Sequence, residues 1–294
     1  MKKYLLDIYW IYRTWPMRWN FPKYKISLIE ETIDDIIQNR KSISRLGDAD
    51  FLLLIGARDV SYQKLSPEIS AKLKEVVERR DDRIIIGLPD TLNSTRGCNR
   101  NSKIHWKLFL NTHGKKLAKY LDVNYEYGNS NITRFYIDAK DKTIVKSYFD
   151  KFKSIWQGKD IVIIEGKYSR LGVGNDLMNG AKSIKRILAP HKDAFQVYDQ
   201  LKEILLEFPK KTIFIFALGP TATILCSELA VEGYWSIDVG NIDIEYMWMQ
   251  MGATEKVPVK GRFSVETGNK LTTDLILDPI IYKDYFDSII KEIE

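Results

Sequence analysis

The chain has only two cysteines among its 294 residues, Cys98 and Cys226, and they lie far apart without a CxxC or Cys/His ligand spacing. This scarcity excludes a disulfide framework and a structural zinc site, and we expect both thiols to be buried or idle. No apolar run approaches the roughly 20 residues of a membrane-spanning helix, and the first residues lack the pattern of a secretion signal. We therefore expect a cytoplasmic protein, at most peripheral at the inner face of the cell membrane.

Several other features are missing from the sequence. It contains no internal repeat, no low-complexity stretch and no linker rich in proline, glycine or serine. Neither GxGxxG nor GxxxxGK[ST] occurs, which argues against a standard dehydrogenase or an ATPase. We expect one main domain over residues 27–261, with an insertion-like basic region at 91–135. A basic aromatic segment (1–26) precedes this domain, and an extension (262–294) follows it.

Acidic residues are absent from residues 91–121, which carry seven basic residues, and residues 1–28 carry six basic residues against one acidic residue. Such segregation indicates an anionic partner: phosphates, a lipid surface or nucleic acid. Solvated basic faces without a partner are the alternative. Aromatic residues alternate with the basic ones in the first segment, which suits the interface of an anionic membrane. An aromatic strap packed on the core would give the same pattern.

The apolar pattern predicts an α/β fold. Helical spacing marks residues 28–39, and Ser66 followed by Pro67 marks the start of a second helix. Continuous apolar runs that read as buried strands lie at 83–90, 160–166, 183–190, 212–219 and 234–240, and amphipathic stretches lie at 144–157, 192–207 and 221–232. Strands without polar alternation, separated by helices, predict a mostly parallel, Rossmann-like sheet with helices on both faces.

Ligands of such sheets bind beyond the carboxyl ends of the strands, so the loops at those ends are the candidate sites. The first is "GDAD" at 47–50, where Asp48 and Asp50 repel each other unless water, a cation or a proton separates them. A divalent cation would be held by such carboxylates together with substrate phosphates. A solvated loop explains the pattern equally well.

Two further loops contain glycines that let a backbone approach a ligand. The loop at 165–176 contains candidate phosphate or ligand contacts at Ser169, Arg170, Gly172, Gly174, Asn175 and Asp176. In "ALGPTAT" at 217–223, Gly219 forms a strand-to-helix turn and Thr221 is placed to cap the next helix, where an anion would be favoured. A βα unit without a ligand also needs such a turn.

The fourth loop, "DVGNIDIE" at 238–245, contains Asp238, Asn241, Asp243 and Glu245. Asp238 ends an apolar strand, where a carboxylate is costly unless it is solvated or bound. Asp243 and Glu245 are candidates for a catalytic carboxylate. The alternative for Asp243 is an acid favoured by a helix N-terminus.

Taken in order, several segments resemble the GT-D type glycosyltransferases, a bacterial family. The segments are "SISRLGDADF" (42–51), "ITRFYI" (132–137), residues 160–190, "ALGPTATIL" (217–225) and residues 233–253. The resemblance implies a Rossmann-like domain that binds a UDP-sugar and a divalent metal, Mn or Mg, and transfers the sugar to a growing glycan. The family's Asp-x-Glu motif falls on Asp48-Ala49-Asp50, and Asn241 stands where the family has a histidine.

The working hypothesis is metal-assisted glycosyl transfer, with the metal held by Asp50 and Asp48. Asp243 is the first choice, and Glu245 the second, for the base that takes the acceptor's proton. Residues expected at the nucleotide-sugar are Arg45, Gly47, Asp48, Arg134, Ser169, Arg170, Gly172, Gly174, Asn175, Asp176, Gly219, Thr221, Asp238 and Asn241.

The basic aromatic start of the chain fits an acceptor carried on a polyprenyl diphosphate at the membrane surface, where surface polysaccharides are built. A soluble glycoprotein acceptor is the alternative. Two other function classes stay open: a metal-dependent phosphohydrolase with Asp48 as the nucleophile, and a non-catalytic nucleotide- or nucleic-acid-binding protein. We expect no nucleic-acid partner, because no recognisable nucleic-acid module is present.

Overall fold

The computed structural model describes residues 5–6, 8–13, 20–267, 278–280 and 282–294. The strands are β1 (Lys25–Ile26), β2 (Ser42–Arg45), β3 (Ile84–Leu88), β4 (Glu126–Asn129), β5 (Asp160–Gly166), β6 (Ser183–Ala189), β7 (Ile213–Ala217), β8 (Trp235–Asp238) and β9 (Ile289–Glu292). The helices are α1 (Ile29–Gln38), α2 (Asp48–Leu54), α3 (Pro67–Glu78), α4 (Arg100–Leu117), α5 (Val145–Trp156), α6 (Tyr198–Leu206), α7 (Pro220–Val231), α8 (Ile242–Gln250) and α9 (Lys283–Ser288). Single 3-10 turns lie at Asp90–Leu92, Ser130–Thr133, Ala194–Val197 and Val265–Thr267.

The described strands form one sheet in the order β1-β4-β3-β2-β8-β7-β5-β6-β9. Each neighbouring pair among them is parallel. From β2 the chain first builds one wing of the sheet with β3 and β4, and later builds the other wing with β5 to β8. The order therefore reverses beside β2, and such a switch point is where open α/β sheets bind ligands.

Helices cover both faces of the sheet, as the apolar runs predict. One buried cluster packs α2, α3, α4, α6 and α7 on one face, and a second packs α1, α5 and α8 on the other. Successive β3 residues belong to different clusters: Ile84 and Ile86 face the first cluster, and Ile85 faces the second. Burial on both faces explains why the strands read as continuous apolar runs. The predicted fold class is confirmed.

Of two helix starts predicted from capping residues, one is confirmed and the other is wrong. The Ser66 side chain accepts a hydrogen bond from the Ile69 amide, and Pro67 begins α3 as predicted. The cap predicted at Thr221 is wrong, because Gly219 is the N-cap of α7 and Pro220 is its first helical residue. Thr221 is fully buried inside the first turn.

The predicted insertion at 91–135 is also wrong, because this region supplies α4 and the strand β4 at the heart of one wing. The strands β1 and β9 extend the same sheet from the segments 1–26 and 262–294. The division at residues 27 and 261 stays a prediction, and the sheet itself crosses both boundaries.

The described part of the amino-terminal segment is helical over 8–13. Most apolar side chains of residues 8–13 are exposed, with Tyr12 at 81% and Ile8 at 49%, whereas Phe21 and Tyr24 further along the segment pack on the core. Trp15 and Trp19, which belong to the predicted basic aromatic segment, lie outside the described residues. Within the described ranges, no helix has both the length and the apolarity to cross a bilayer. Cys226 is buried, and Cys98 is partly exposed.

Gly128 of β4 lies in close contact with side chains of α1 and β3. A Cβ on Gly128 of β4 would lie 2.3 Å from Ile85 Cγ2 and 3.1 Å from Thr32 Cγ2. Gly128→Ala should therefore lower the free energy of unfolding by about 1–3 kcal/mol, measured by urea denaturation. The control Gly97→Ala, where no heavy atom lies within 4 Å, should change it by less than about 0.5 kcal/mol. Equal stabilities of the two variants would contradict this packing.

Candidate active site

A cavity of about 1060 Å³ opens at the carboxyl ends of the central strands. It lies over the switch point and takes its walls from both wings of the sheet. The predicted residues that line it are Arg45, Gly47, Asp48, Asp50, Arg134, Ser169, Gly219, Asp238, Asn241 and Asp243. Predicted residues that lie in the described chain but do not line it are Arg170, Gly172, Gly174, Asn175, Asp176, Thr221 and Glu245.

The two aspartates that follow β2 belong to a helix rather than to the predicted loop. Gly47 is the N-cap of α2, so Asp48 and Asp50 lie in its first turn. Asp50 Oδ2 accepts a hydrogen bond of 2.9 Å from the Gly47 amide, which satisfies one of the free donors of the helix start. The helix dipole favours both carboxylates at this end. The helix start therefore fixes their positions.

Asp50 is almost completely buried beside a second buried carboxylate, Asp238 at the end of β8. Burial raises the pKa of Asp50 to about 7, the nearby charges of Asp238 and Asp48 add to this, and the Gly47 amide and the Arg45 guanidinium oppose it. Burial also raises the pKa of Asp238. Thr223 Oγ1 lies 3.3 Å from Asp50 Oδ1 and 3.5 Å from Asp238 Oδ2, between the two acids.

Arg45 holds the floor of the cavity together. Its Nη2 donates to Asp238 Oδ1 at 2.9 Å, its Nε to the Asp238 carbonyl at 2.8 Å, and its Nη1 to the Ser130 carbonyl at 3.1 Å. The side chain thus connects β2, β8 and the turn after β4. The structure uses these donors internally, so the predicted anion-binding residue is first a brace between strands.

Asp48 lines the cavity, and its side chain is 46% exposed. Its Oδ2 lies 3.0 Å from Nε2 of His105, which comes from α4 and is 51% exposed. Burial acts to raise the pKa of Asp48, but the hydrogen bond and charge of His105 and the charge of Arg134 hold it below its usual value. Sequence reasoning missed His105, because its only signal was its place in the acid-free stretch.

The acids of this site fit a divalent cation that is shared with a substrate. Carboxylate oxygens are ligands that Mg²⁺ and Mn²⁺ prefer, and a positive charge beside Asp50 would favour its ionised form. In the chain as far as it is described, no three His, Cys, Asp or Glu side chains are grouped to hold an ion. The donors therefore suit a cation that takes its remaining ligands from phosphates and water, and not an all-protein cage.

Buried charged side chains hold the loop at 165–176, here called the glycine loop, which follows β5. Glu165 Oε2 accepts from the Leu171 amide at 2.7 Å, and Arg186 Nη2 donates to the Leu171 carbonyl at 2.9 Å. The two side chains also form a buried ion pair with each other. Since Glu165 belongs to β5 and Arg186 to β6, these contacts fix the loop to the sheet.

Asp243, in the first turn of α8, fixes the same loop from the other side. Its Oδ1 accepts from the Gly172 amide at 2.8 Å and from Asn175 Nδ2 at 2.7 Å, and its Oδ2 accepts from Arg262 Nε at 2.6 Å. Arg262 also donates to the Val173 carbonyl. Asp243 thus joins the helix, the loop and the chain after residue 261, and it still lines the cavity.

Other predicted residues of the loop lie in supporting positions. Asp176 accepts hydrogen bonds from Lys153 at 2.6 Å and Tyr246 at 2.7 Å, and these bonds, with the Lys153 charge, lower its pKa to about 2. Arg170 is buried and donates to the Gly261 carbonyl, and burial lowers the pKa of its guanidinium. The structure does not bring either side chain to the cavity.

Gly219 has φ +55°, and a Cβ there would lie 2.7 Å from the ring of Tyr62. The left-handed backbone and this close approach together require glycine at the start of α7. Tyr62 also lines the cavity, where burial and the charges of Asp50 and Asp48 raise the pKa of its hydroxyl well above the usual value. Sequence reasoning missed Tyr62, since no motif marks it.

Glu245 lies behind the wall. Its Oε2 accepts from the amides of Tyr136 and Ile137 at 2.8 and 2.9 Å, and Oε1 is buried without a hydrogen-bond partner in the described structure. Burial raises its pKa to about 7, opposed by the Arg134 charge and by these amides. Arg134 itself pairs with Asp138 and Glu266, another lining residue without a sequence signal.

A family model described as "Glycosyltransferase GT-D fold" matches residues 43–267. The chain belongs to this GT-D glycosyltransferase family. The match contains both wings of the sheet except β1 and β9.

Curated relatives of this GT-D chain come from streptococci. One is "Probable glycosyl transferase Gly" of Streptococcus gordonii, 38% identical over 241 residues, which are 81% of this chain and 35% of Gly. Another is "Glycosyltransferase GlyD" of Streptococcus pneumoniae, 36% identical over 81% of this chain and 29% of GlyD. The chain therefore spans about a third of the length of these relatives.

Solved structures share the GT-D architecture. One, described as a domain of unknown function 1792 with a distinct glycosyltransferase fold, is 30% identical with a TM-score of 0.84 and covers 97% of this chain and 100% of its own. Another, described as a new glycosyltransferase from Streptococcus sanguinis, is 33% identical with a TM-score of 0.82 over 92% of this chain and 100% of its own. These likenesses confirm the resemblance seen in the sequence.

The buried carboxyl of Glu245 makes the stability of the GT-D domain depend on pH. Because its pKa rises from 4.5 to about 7 on folding, its contribution is complete below pH 4.5 and is lost as pH rises through 7. Glu245→Gln keeps an oxygen for both amides and does not ionise. The variant should match wild type most closely at pH 4.5 and be more stable above pH 7, by on the order of 3 kcal/mol.

Urea denaturation at several pH values measures this difference. The exposed Glu203 of α6 supplies the matched control, and Glu203→Gln should show no such trend. A Glu245→Gln effect of the same size at pH 4.5 and pH 8 would refute the assignment.

Proposed function

We propose that this chain is the catalytic domain of a metal-dependent glycosyltransferase that moves a sugar from a nucleotide diphosphate donor, a UDP-sugar, to a growing glycan. The observation that carries the proposal is the cavity at the switch point of a GT-D sheet, with Asp48 exposed to it and Asp50 buried at its floor. One or two carboxylates at the carboxyl end of a parallel sheet suit a divalent cation that also binds a diphosphate.

Asp48 and Asp50 would hold the cation, Mn²⁺ or Mg²⁺. When bound, such an ion neutralises the charge that develops on the departing diphosphate. The ion pair between Arg45 and Asp238 keeps β2 and β8 in register below these acids. The start of α7 at Gly219 adds backbone amides and a helix dipole that favour an anion at the cavity wall.

Asp243 is the proposed acceptor of the proton from the attacking hydroxyl. Three hydrogen bonds occupy its two oxygens, which together accept about four, and the residue lines the cavity. Glu245 does not line the cavity and positions the backbone at Tyr136 and Ile137 instead. Asn241, also at the wall, offers an amide for a sugar hydroxyl in place of the family's histidine.

The proposed acceptor is a glycan of bacterial surface polysaccharide or glycoprotein. Two features support a polyprenyl-diphosphate carrier at the inner membrane face: the exposed apolar side chains of residues 5–13, and the six basic residues among residues 1–28. Aromatic and basic side chains together favour the surface of an anionic bilayer.

The donor class can be tested by thermal stabilisation. UDP-, GDP- and dTDP-sugars are added with MnCl₂ or with EDTA, and UDP-sugars with Mn²⁺ should raise the melting temperature most and be hydrolysed slowly without acceptor. Asp50→Asn should weaken the Mn²⁺-dependent part of UDP binding about tenfold or more. The exposed Asp150 gives the control Asp150→Asn, which should bind as wild type does.

Two outcomes would overturn the proposal. Hydrolysis of p-nitrophenyl phosphate without any turnover of sugar nucleotides would favour the phosphohydrolase. Unchanged Mn²⁺-dependent UDP affinity in Asp50→Asn would remove Asp50 from the site.

Kinetic and binding measurements distinguish two roles of Asp243, that of the base and that of an anchor for the glycine loop. If Asp243 takes the acceptor's proton, Asp243→Asn should lower kcat by about 10²–10⁴-fold, far more than it weakens UDP binding, while loss of the buried ion pair with Arg262 also lowers the melting temperature. Glu245→Gln is the comparison, because it alters a buried carboxyl that does not face the cavity. A loss of kcat no larger than the loss of UDP affinity in Asp243→Asn would show that Asp243 only anchors the glycine loop.

A further inference from the structure

The contact between Asp48 and His105 joins two parts of the chain at the cavity. Asp48 belongs to the first turn of α2, and His105 lies on the second turn of α4, within the acid-free basic stretch. Asp48 Oδ2 and His105 Nε2 are 3.0 Å apart, and both side chains are about half exposed. In this contact the Nε2–H group of His105 donates to the carboxylate, and loss of that proton would give Nε2 a lone pair for a cation in the cavity.

Aromatic neighbours hold the His105 ring in place. Its centroid lies 5.7 Å from the Trp106 ring in an edge-to-face arrangement and 6.4 Å from the Phe109 ring in a stacked one. Trp106 and Phe109 are themselves buried. These ring contacts and the contact with Asp48 favour an orientation of the imidazole in which Nε2 lies beside the Asp48 carboxylate.

The separation of the two atoms matches that of neighbouring ligands on one ion. Two ligands at right angles, each about 2.1 Å from a six-coordinate ion, lie about 3.0 Å from one another. A histidine nitrogen and a carboxylate oxygen that already have this spacing need little rearrangement to bind the same cation.

We propose that His105 is a ligand of the divalent cation together with Asp48, and that it makes the site prefer transition-metal ions to Mg²⁺. This inference rests on the proposed function, which brings the cation to Asp48. An imidazole nitrogen binds first-row transition ions better than Mg²⁺, whose preferred ligands are oxygens. In the described part of the protein no three such side chains are already grouped around one point, so Asp50 would approach the ion from the floor of the cavity only when the ion binds, and diphosphate oxygens and water complete the coordination.

The test compares metal affinities rather than activity. His105→Gln is titrated by calorimetry with CoCl₂, MnCl₂ and MgCl₂ in the presence of UDP. Affinity for Co²⁺ should fall at least about tenfold, that for Mn²⁺ by less, and that for Mg²⁺ by less than about threefold. Pulsed EPR of bound Mn²⁺ should show a nitrogen coupling in wild type that the variant lacks.

A second histidine on the same helix provides the matched control. His113 lies two turns further along α4 and is not among the lining residues of the cavity. His113→Gln should leave all three affinities and the nitrogen coupling unchanged. His105→Asp, which restores an oxygen ligand, should recover Mg²⁺ binding to at least the wild-type level and not recover Co²⁺ binding.

Two results separate this inference from the function on which it rests. Equal or tighter binding of all three ions by His105→Gln, with no nitrogen coupling in wild type, would show that His105 only competes with the cation for Asp48. Wild-type protein that binds none of the ions with UDP would instead contradict the metal dependence of the proposed function.

Discussion

Two buried carboxylates, Asp50 and Asp238, share a single guanidinium, that of Arg45, at the centre of the sheet. Removing such groups from water costs free energy that a single ion pair does not fully offset, and the raised pKa values of both acids express that cost. The fold tolerates this excess of negative charge at its switch point. The proposed cation would offset this negative charge, and we therefore expect its binding to relieve the cost of burying the two acids.

The walls of the cavity depend on ion pairs that connect distant parts of the chain. The pair of Asp243 and Arg262 joins α8 to the chain after residue 261. The pair of Glu165 and Arg186 anchors the glycine loop to β5 and β6. Each pair is buried and also bonds to backbone groups, so the loop is held without help from a ligand. Prior organisation of this kind lets binding energy act on the substrate rather than on ordering the site.

The sequence predicts the sheet better than the site. The run at 160–166 becomes β5 with the predicted boundaries. A strand that is buried on both faces has apolar residues at successive positions, and this pattern is visible in the sequence. The strand-end rule likewise leads to Asp48 and Asp238. His105 escapes prediction because its importance depends on a contact across 57 positions of sequence, which local spacing does not encode. Arg170 lies outside the cavity for a similar reason, since the tertiary fold decides whether a loop arginine turns toward the cavity or into the protein.

The strand order has one more consequence, at the two margins of the sheet. Its outermost strands are short: β1 has two residues, and β9 has four, with Lys291 and Glu292 in its second half. A long apolar margin would offer unpaired backbone groups to the same margin of another molecule. Short, charged margins disfavour such self-association, and both outermost strands of the nine that the structure describes are short.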